Sequence, residues 1–189
     1  SQLGEIFGLH PLALEDVVNL HQRPKFEGYG DTDFIVLRMP SLIPHLDLEQ
    51  VSMFVGESFL ITIQEKPGDC LDGLRERFRS NQGRVRRRGA AYLAYTVLDS
   101  IVETYYPVVD AYTDRLEELE VRALASATEN IVPEIHAIRH DLRALRRAIA
   151  PTREVLSAMA RADASDATDD THIFIRDCQD HTVQLLEAL

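Results

Sequence analysis

"AYLAYTVLDSIVETYYPVVDAYTDRLEELE", residues 91–120, decides the fold class. Tyr95, Leu98, Val102, Tyr105, Val109, Tyr112, Leu116 and Leu119 recur at alternating steps of three and four, the spacing of one apolar seam along a helix. A second seam runs through Ile131, Ile135, Ile138, Leu142, Leu145 and Ile149. Each seam needs a partner to cover it, so the pair predicts two long antiparallel helices, near 90–125 and 130–162, packed as a hairpin. Pro107 and Pro151 fall inside them. A proline there removes one helix hydrogen bond and crowds the carbonyl four residues back, so a kink is expected at each.

Upstream of the seam the pattern is mixed α/β. "FIVL" (34–37) is a continuous apolar run, as in a strand covered on both faces. "VSMFV" and "SFLITI" flank Gly56-Glu57 and read as a hairpin, with Pro40 and Pro44 marking a loop or edge before it. A short helix follows, with Asp69 as N-cap, Leu71, Leu74 and Phe78 as its stripe, and Gly83 beyond its end. So small a sheet would expose an edge, and N-terminal strands missing from this sequence are expected to cover it. Downstream, "ADASDATDDT" (162–171) reads as a turn or link, and a third helix starts near Thr171. Its "LLEAL" (185–189) carries no helix-stopping residue, so the helix is expected to continue beyond it.

Composition narrows the function. The 189 residues are 45% apolar and 27% charged, ordinary for a globular chain. A net charge of −11 disfavours general nucleic-acid binding and favours cations or basic surfaces as partners. The charge lies in blocks: residues 1–69 hold 4 basic and 11 acidic side chains, whereas 132–162 hold 6 basic and 3 acidic. Two distant cysteines, Cys70 and Cys178, have no metal-type spacing and read as small hydrophobes in a reducing compartment. No secretory signal is visible, and no apolar run nears the 18 or so residues of a membrane helix.

Chemistry concentrates in acidic positions. "HPLALEDVV" (10–18) reads as a short helix with Pro11 in its first turn and an apolar face of Leu12, Leu14, Val17 and Val18. Glu15 and Asp16 then fall in its last turn, where the helix dipole disfavours carboxylates by roughly 0.3–1 kcal/mol. A divalent cation held by these carboxylates and by carbonyl oxygens at the helix end would offset that cost. Asp177, Asp180 and His181, at i, i+3 and i+4, share one face of the last helix. His136 and His140 have zinc-ligand spacing, but Arg139 and Arg143 beside them favour a solvated face. The Arg84–Arg88 cluster reads as a solvated loop or a partner for acidic helices. Neither a glycine-rich phosphate loop nor a nucleophile motif is present, so the sequence gives no support to an enzyme.

"FGLHPLALEDVVNLHQRPKFEGY…FIVLRM", "EQVSMF", "ITIQEKPGD", "LRERFR", "AYLAYTVLDSIVETYY", "LRRAIAPTREVLS" and "FIRDCQDHTVQ" occur in this order from near residue 3 to residue 187. Together they resemble the cytoplasmic domain of the CorA family of magnesium channels. The resemblance implies an α/β fold: a helix–sheet–helix sandwich over 1–89 lacking its N-terminal strands, an antiparallel helical hairpin over 90–165, and the start of a long stalk helix over 171–189. It implies a homopentamer at the cytoplasmic face of the inner membrane, anchored by two C-terminal membrane helices bearing a Gly-Met-Asn pore motif absent from this sequence. Regulatory Mg²⁺, with Co²⁺ or other divalent ions as substitutes, would hold the pore closed. The principal site would join Asp16 of one subunit to Asp177 of the next. A looser second site would draw on Glu15, Asp99 and His181, with the Leu12 carbonyl nearby. A zinc-transporting relative of the same fold and a soluble assembly module without metal sensing are the alternatives.

Overall fold

A computed structural model describes residues 2–80, 88–125, 130–163 and 171–189. Two short helices, α1 (Gln2–Phe7) and α2 (Pro11–Val18), precede a sheet of β1 (Lys25–Tyr29), β2 (Thr32–Ser41), β3 (Asp47–Val55) and β4 (Leu60–Gln64). Helices α3 (Asp72–Arg79), α4 (Gly89–Glu103), α5 (Tyr105–Ala125), α6 (Val132–Asp163) and α7 (Thr171–Ala188) follow. The strands form one antiparallel meander in the order β1-β2-β3-β4.

The β1–β2 turn is Gly30-Asp31, between the paired Tyr29 and Thr32, and Gly30 supplies the positive φ that such a two-residue turn demands. The β3–β4 hairpin closes at the expected Gly56-Glu57, where Gly56 N–H donates to the Phe59 carbonyl at 3.0 Å. A Cβ on residue 56 would collide with the Phe59 ring, so any larger residue would displace that ring.

Period-two alternation gives the sheet two unlike faces. Ile35, Leu37, Val51, Met53 and Val55 face the large core, which α4, α5, α6 and α7 complete with Leu98, Ile101, Tyr105, Leu145, Ile149 and Ile175. Phe34, Val36 and Phe54 face the other way, onto Leu9 and Ala13. A helix–sheet–helix sandwich results, as the resemblance implies.

Several expected details are corrected. The fully buried α2 residue is Ala13, whose small side chain permits close approach. Of the expected apolar face, Leu14 and Val17 pack half-buried against the sheet, while Leu12 and Val18 are exposed. Asp69 stands ahead of the cap position, which is Leu71. It accepts the Leu71 N–H at 2.8 Å and clamps Arg75. The expected helix over 90–125 divides at Thr104, because the Pro107 ring crowds the Glu103 carbonyl and Thr104 turns its N–H and hydroxyl back to Ile101 (3.1 and 2.6 Å). By contrast, α6 runs on through Pro151 for 32 residues, about 48 Å, with the Thr152 hydroxyl donating to the Ala148 carbonyl at 3.0 Å. Strand β1 and helix α1 were not expected. Gly83, Arg84–Arg87 and most of the 162–171 link lie outside the described residues.

Helices α5 and α6 are antiparallel neighbours. Tyr112 Oη donates to Asp141 at 2.7 Å, and nearer their connection Arg122 forks onto Glu134 at 2.8 and 2.9 Å. Helix α7 returns along α6, where Gln179 Nε2 donates to Ser157 Oγ at 3.0 Å, and also meets α4 through Tyr92, Tyr95 and Phe174. Among the described residues, no helix is long and apolar enough to cross a membrane.

Candidate metal centre

Helix α2 presents the first candidates. Asp16 is half-buried and its Oδ2 lies 2.6 Å from Lys25 Nζ, which also reaches Glu27 at 2.9 Å. Burial disfavours the Lys25 ammonium, but the hydrogen bonds to Asp16 and Glu27 outweigh it and hold the lysine above its ordinary value. In this chain, then, an ammonium offsets the unfavourable position of Asp16 at the helix end. The carbonyls expected to serve a cation are also engaged. Asp16 O accepts from the buried Gln50 side chain at 2.9 Å, and Glu15 O from the Asn19 N–H at 3.0 Å. Glu15 and the Leu12 side chain are exposed on the same short helix.

The remaining candidates gather where α4 meets α7. His181 stands between two carboxylates, with Nδ1 4.0 Å from Asp99 Oδ1 and Nε2 3.9 Å from Asp177 Oδ2. Neither distance is a hydrogen bond, and both Asp99 Oδ1 and His181 Nδ1 are buried without a partner. Two orphaned polar atoms facing one gap are the mark of a position that accepts an ion or water. Burial raises the Asp99 carboxyl above its ordinary value, against the Cys178 thiol, the His181 ring and the Tyr95 hydroxyl, which favour the anion. Burial and the Asp99 charge likewise push the Cys178 thiol up, so it is an inert core group. Tyr106 closes one side, edge-on to the His181 ring at 6.2 Å and donating to Gln184 Oε1 at 3.3 Å. Asp177 faces solvent, 70% exposed.

Asp99, Asp177 and His181 are thus brought together, whereas Leu12, Glu15 and Asp16 sit on the opposite face of the sheet. Among the described residues, no three His, Cys, Asp or Glu side chains of one chain converge to hold a metal. The carboxylates Asp16, Asp99 and Asp177 are the donor type Mg²⁺ takes, with water completing its shell, whereas the His181 imidazole is not and Asp16 already carries the Lys25 ammonium. Lys25, Gln50 and Tyr106 went unread in the sequence. The "RPK" beside the acidic helix end was the available signal for Lys25. His136 and His140 are exposed, as expected for a solvated face.

A family profile described as "CorA-like Mg2+ transporter protein" matches residues 1–189. The cobalt/magnesium transport protein CorA of Thermotoga maritima is 37% identical over 192 residues, covering 100% of this chain and 55% of that protein. The cobalt/magnesium transport protein CorA of Methanocaldococcus jannaschii is 22% identical over 187 residues, covering 98% of this chain and 59% of that protein. This chain therefore spans little more than half the length of these relatives. The soluble domain of CorA from Methanocaldococcus jannaschii has the same fold, with a TM-score of 0.83 at 22% identity over 99% of this chain and 75% of that one.

Proposed function

The chain belongs to the CorA-like Mg²⁺ transporter family, and from that premise we propose that it is the Mg²⁺-sensing regulatory domain of a homopentameric divalent-cation channel. In this reading it lies at the cytoplasmic face of the membrane. Mg²⁺, or Co²⁺ in its place, binds between Asp16 of one subunit and Asp177 of the next and favours the closed pore. The observation that supports this best is the placement of the two aspartates on opposite faces of one chain, each beside exposed apolar side chains. Leu12 and Val18 flank Asp16 at 56% and 78% exposure, and Ile173, one turn before Asp177, is 55% exposed. Large exposed apolar groups beside a carboxylate suit a contact between copies. The orphaned Asp99–His181 gap supports the second, looser site, with Glu15 and the Leu12 carbonyl contributed by a neighbour.

Two carboxylates about 4 Å apart repel by roughly 4 kcal/mol at an effective dielectric near 20, so the interface loosens when the cation leaves. A cation specific to the closed state, at 100 times its dissociation constant, contributes about 2.7 kcal/mol, enough to bias a two-state gate. Protease digestion of the assembled full-length channel across a Mg²⁺ titration tests this. Asp16→Ala and Asp177→Ala each raise the Mg²⁺ needed for protection, while Asp180→Ala, exposed on the same helix, leaves it near wild type. Wild-type midpoints in both aspartate variants refute the assignment.

A further inference from the structure

Four arginines converge on one groove that the cation reading leaves unused. Arg143, Arg146 and Arg147, at i, i+3 and i+4, occupy one face of α6, and Arg23 meets them from the loop between α2 and β1. With Ala150 and Pro151 as an apolar floor they line an open space of about 590 Å³. Among the described residues none of the four has a carboxylate partner, in a chain with 31 acidic and 20 basic side chains. Some cations of the chain are engaged, Lys25 by Asp16 and Glu27, Arg75 by Asp69 and Asp72, and Arg122 by Glu134. Others such as Arg139 and Arg153 are solvated singly, and what distinguishes the four is their grouping. Like charges one helical turn apart repel, so grouping three of them on α6 without counter-ions costs stability.

The loop carrying Arg23 is fixed on both sides. Arg38 donates from Nε to the Gln22 carbonyl at 3.0 Å and from its terminal nitrogen to Leu20 O at 3.1 Å. Gln22 N–H donates to Gln50 Oε1 at 3.2 Å, and Pro24 is buried. The backbone at Arg23 is thereby held beside α6, which fixes where its exposed side chain starts and lowers part of the ordering cost of binding.

We propose that this groove binds a compact polyphosphate anion, free or as the phosphate chain of a nucleotide. Planar guanidinium forks match phosphate oxygens bidentately. Four of them exceed what a monoanion or a lone carboxylate can neutralise, whereas a chain of two or three phosphates carries a matching charge. The volume lies in the range of small-molecule pockets, about 300–1,000 Å³. The cluster is short, spanning little more than one turn of α6 and one loop residue, and so fits a compact ligand better than an extended acidic helix.

The chain has no tryptophan, so the test is isothermal titration calorimetry with inorganic tripolyphosphate in buffer free of divalent ions. Wild type gives a saturable one-to-one isotherm. Arg146→Gln and Arg23→Gln, from separate elements, each weaken it about tenfold or more. Arg153→Gln removes the same charge from an exposed position of α6 outside the groove and changes it less than twofold. Equal weakening in all three variants, or no saturable heat, overturns the site. Arginine-dependent sedimentation with phosphatidylserine vesicles but no tripolyphosphate binding assigns the groove to a lipid surface and also overturns it. So does an arginine-dependent change of molecular mass without anion binding, which would mark a contact between copies.

Discussion

Lys25→Met probes how Asp16 is held. Methionine keeps an unbranched stem where Lys25 lies against Phe34, with Nζ 5.7 Å from the ring centroid. What it removes is the charge that lies 2.6 Å from Asp16 and 2.9 Å from Glu27. The two carboxylate oxygens, within about 5.5 Å of each other, then repel by about 3 kcal/mol at an effective dielectric near 20. Asp16 is 22% exposed and Glu27 38%, so water screens part of this, and a net loss of about 1–2 kcal/mol is expected. For a chain of this size that lowers Tm by about 2–8 °C. Mg²⁺ can replace the missing ammonium between two carboxylates. Millimolar Mg²⁺ therefore raises the Tm of the variant more than that of wild type, read by far-ultraviolet circular dichroism in EDTA and in Mg²⁺. A variant melting within about 1 °C of wild type in EDTA would refute the electrostatic argument. An equal Mg²⁺ increment in both proteins would refute the role given to Lys25 at Asp16.

Tyr105→Phe removes the buried hydroxyl that donates to the Arg38 carbonyl at 2.6 Å and ties the start of α5 to β2. It should cost about 1–3 kcal/mol in denaturant melts, more than Tyr112→Phe, whose partner Asp141 is 30% exposed and can be rehydrated. The Asp69–Arg75 pair predicts an acid limb to stability. Arg75 holds Asp69 below its ordinary value of 3.8 against the opposing effect of burial. The unfolded chain therefore takes up that proton first as pH falls. The contribution is complete above the ordinary carboxyl value and fades as pH drops through the depressed native one. Asp69→Asn should flatten this limb in melts between about pH 5 and pH 2, and an unchanged pH profile would sink the assignment.

Long-range order was legible where one residue pattern had one physical outcome. "FIVL" becomes the most buried part of β2, and the seams from Tyr95 to Ile149, apart from the exposed Leu116, pack into the large core. Strand β1 was not legible: "KFEGY" carries Gly28 and two charges, and it is a strand because β2 pairs with it and α6 packs near it. Proline gave opposite outcomes in two helices. At Pro107 a threonine three residues earlier turns its hydroxyl back and the helix divides, whereas at Pro151 the long, packed α6 continues. Candidate carboxylates were visible as residue types, but their partners were not. Lys25 reaches Asp16 around a loop, Gln50 arrives from β3, and Asp99 meets His181 only because α7 folds back against α4. The arginine groove has the same origin, since Arg23 lies 120 or more residues before its companions.

The unequal division of the interior by the sheet sets how compliant its two sides are. On one side four helices share a continuous core. On the other, α2 packs on a smaller cluster of Leu9, Ala13, Phe34, Val36 and Phe54, with Leu14, Val17 and Ile61 among the half-buried side chains around it. Local opening free energy follows buried apolar contact, so α2 amides exchange with solvent far below the global unfolding free energy, while those of α6 wait for it. Asp16 on that helix is held by polar contacts to β1 and β3, from Lys25 and Gln50, more than by apolar burial. If Asp16 and Asp177 share a cation as proposed, the α7 carboxylate is registered to the large core through Ile175 and Cys178, and α2 is the side with more freedom to adjust.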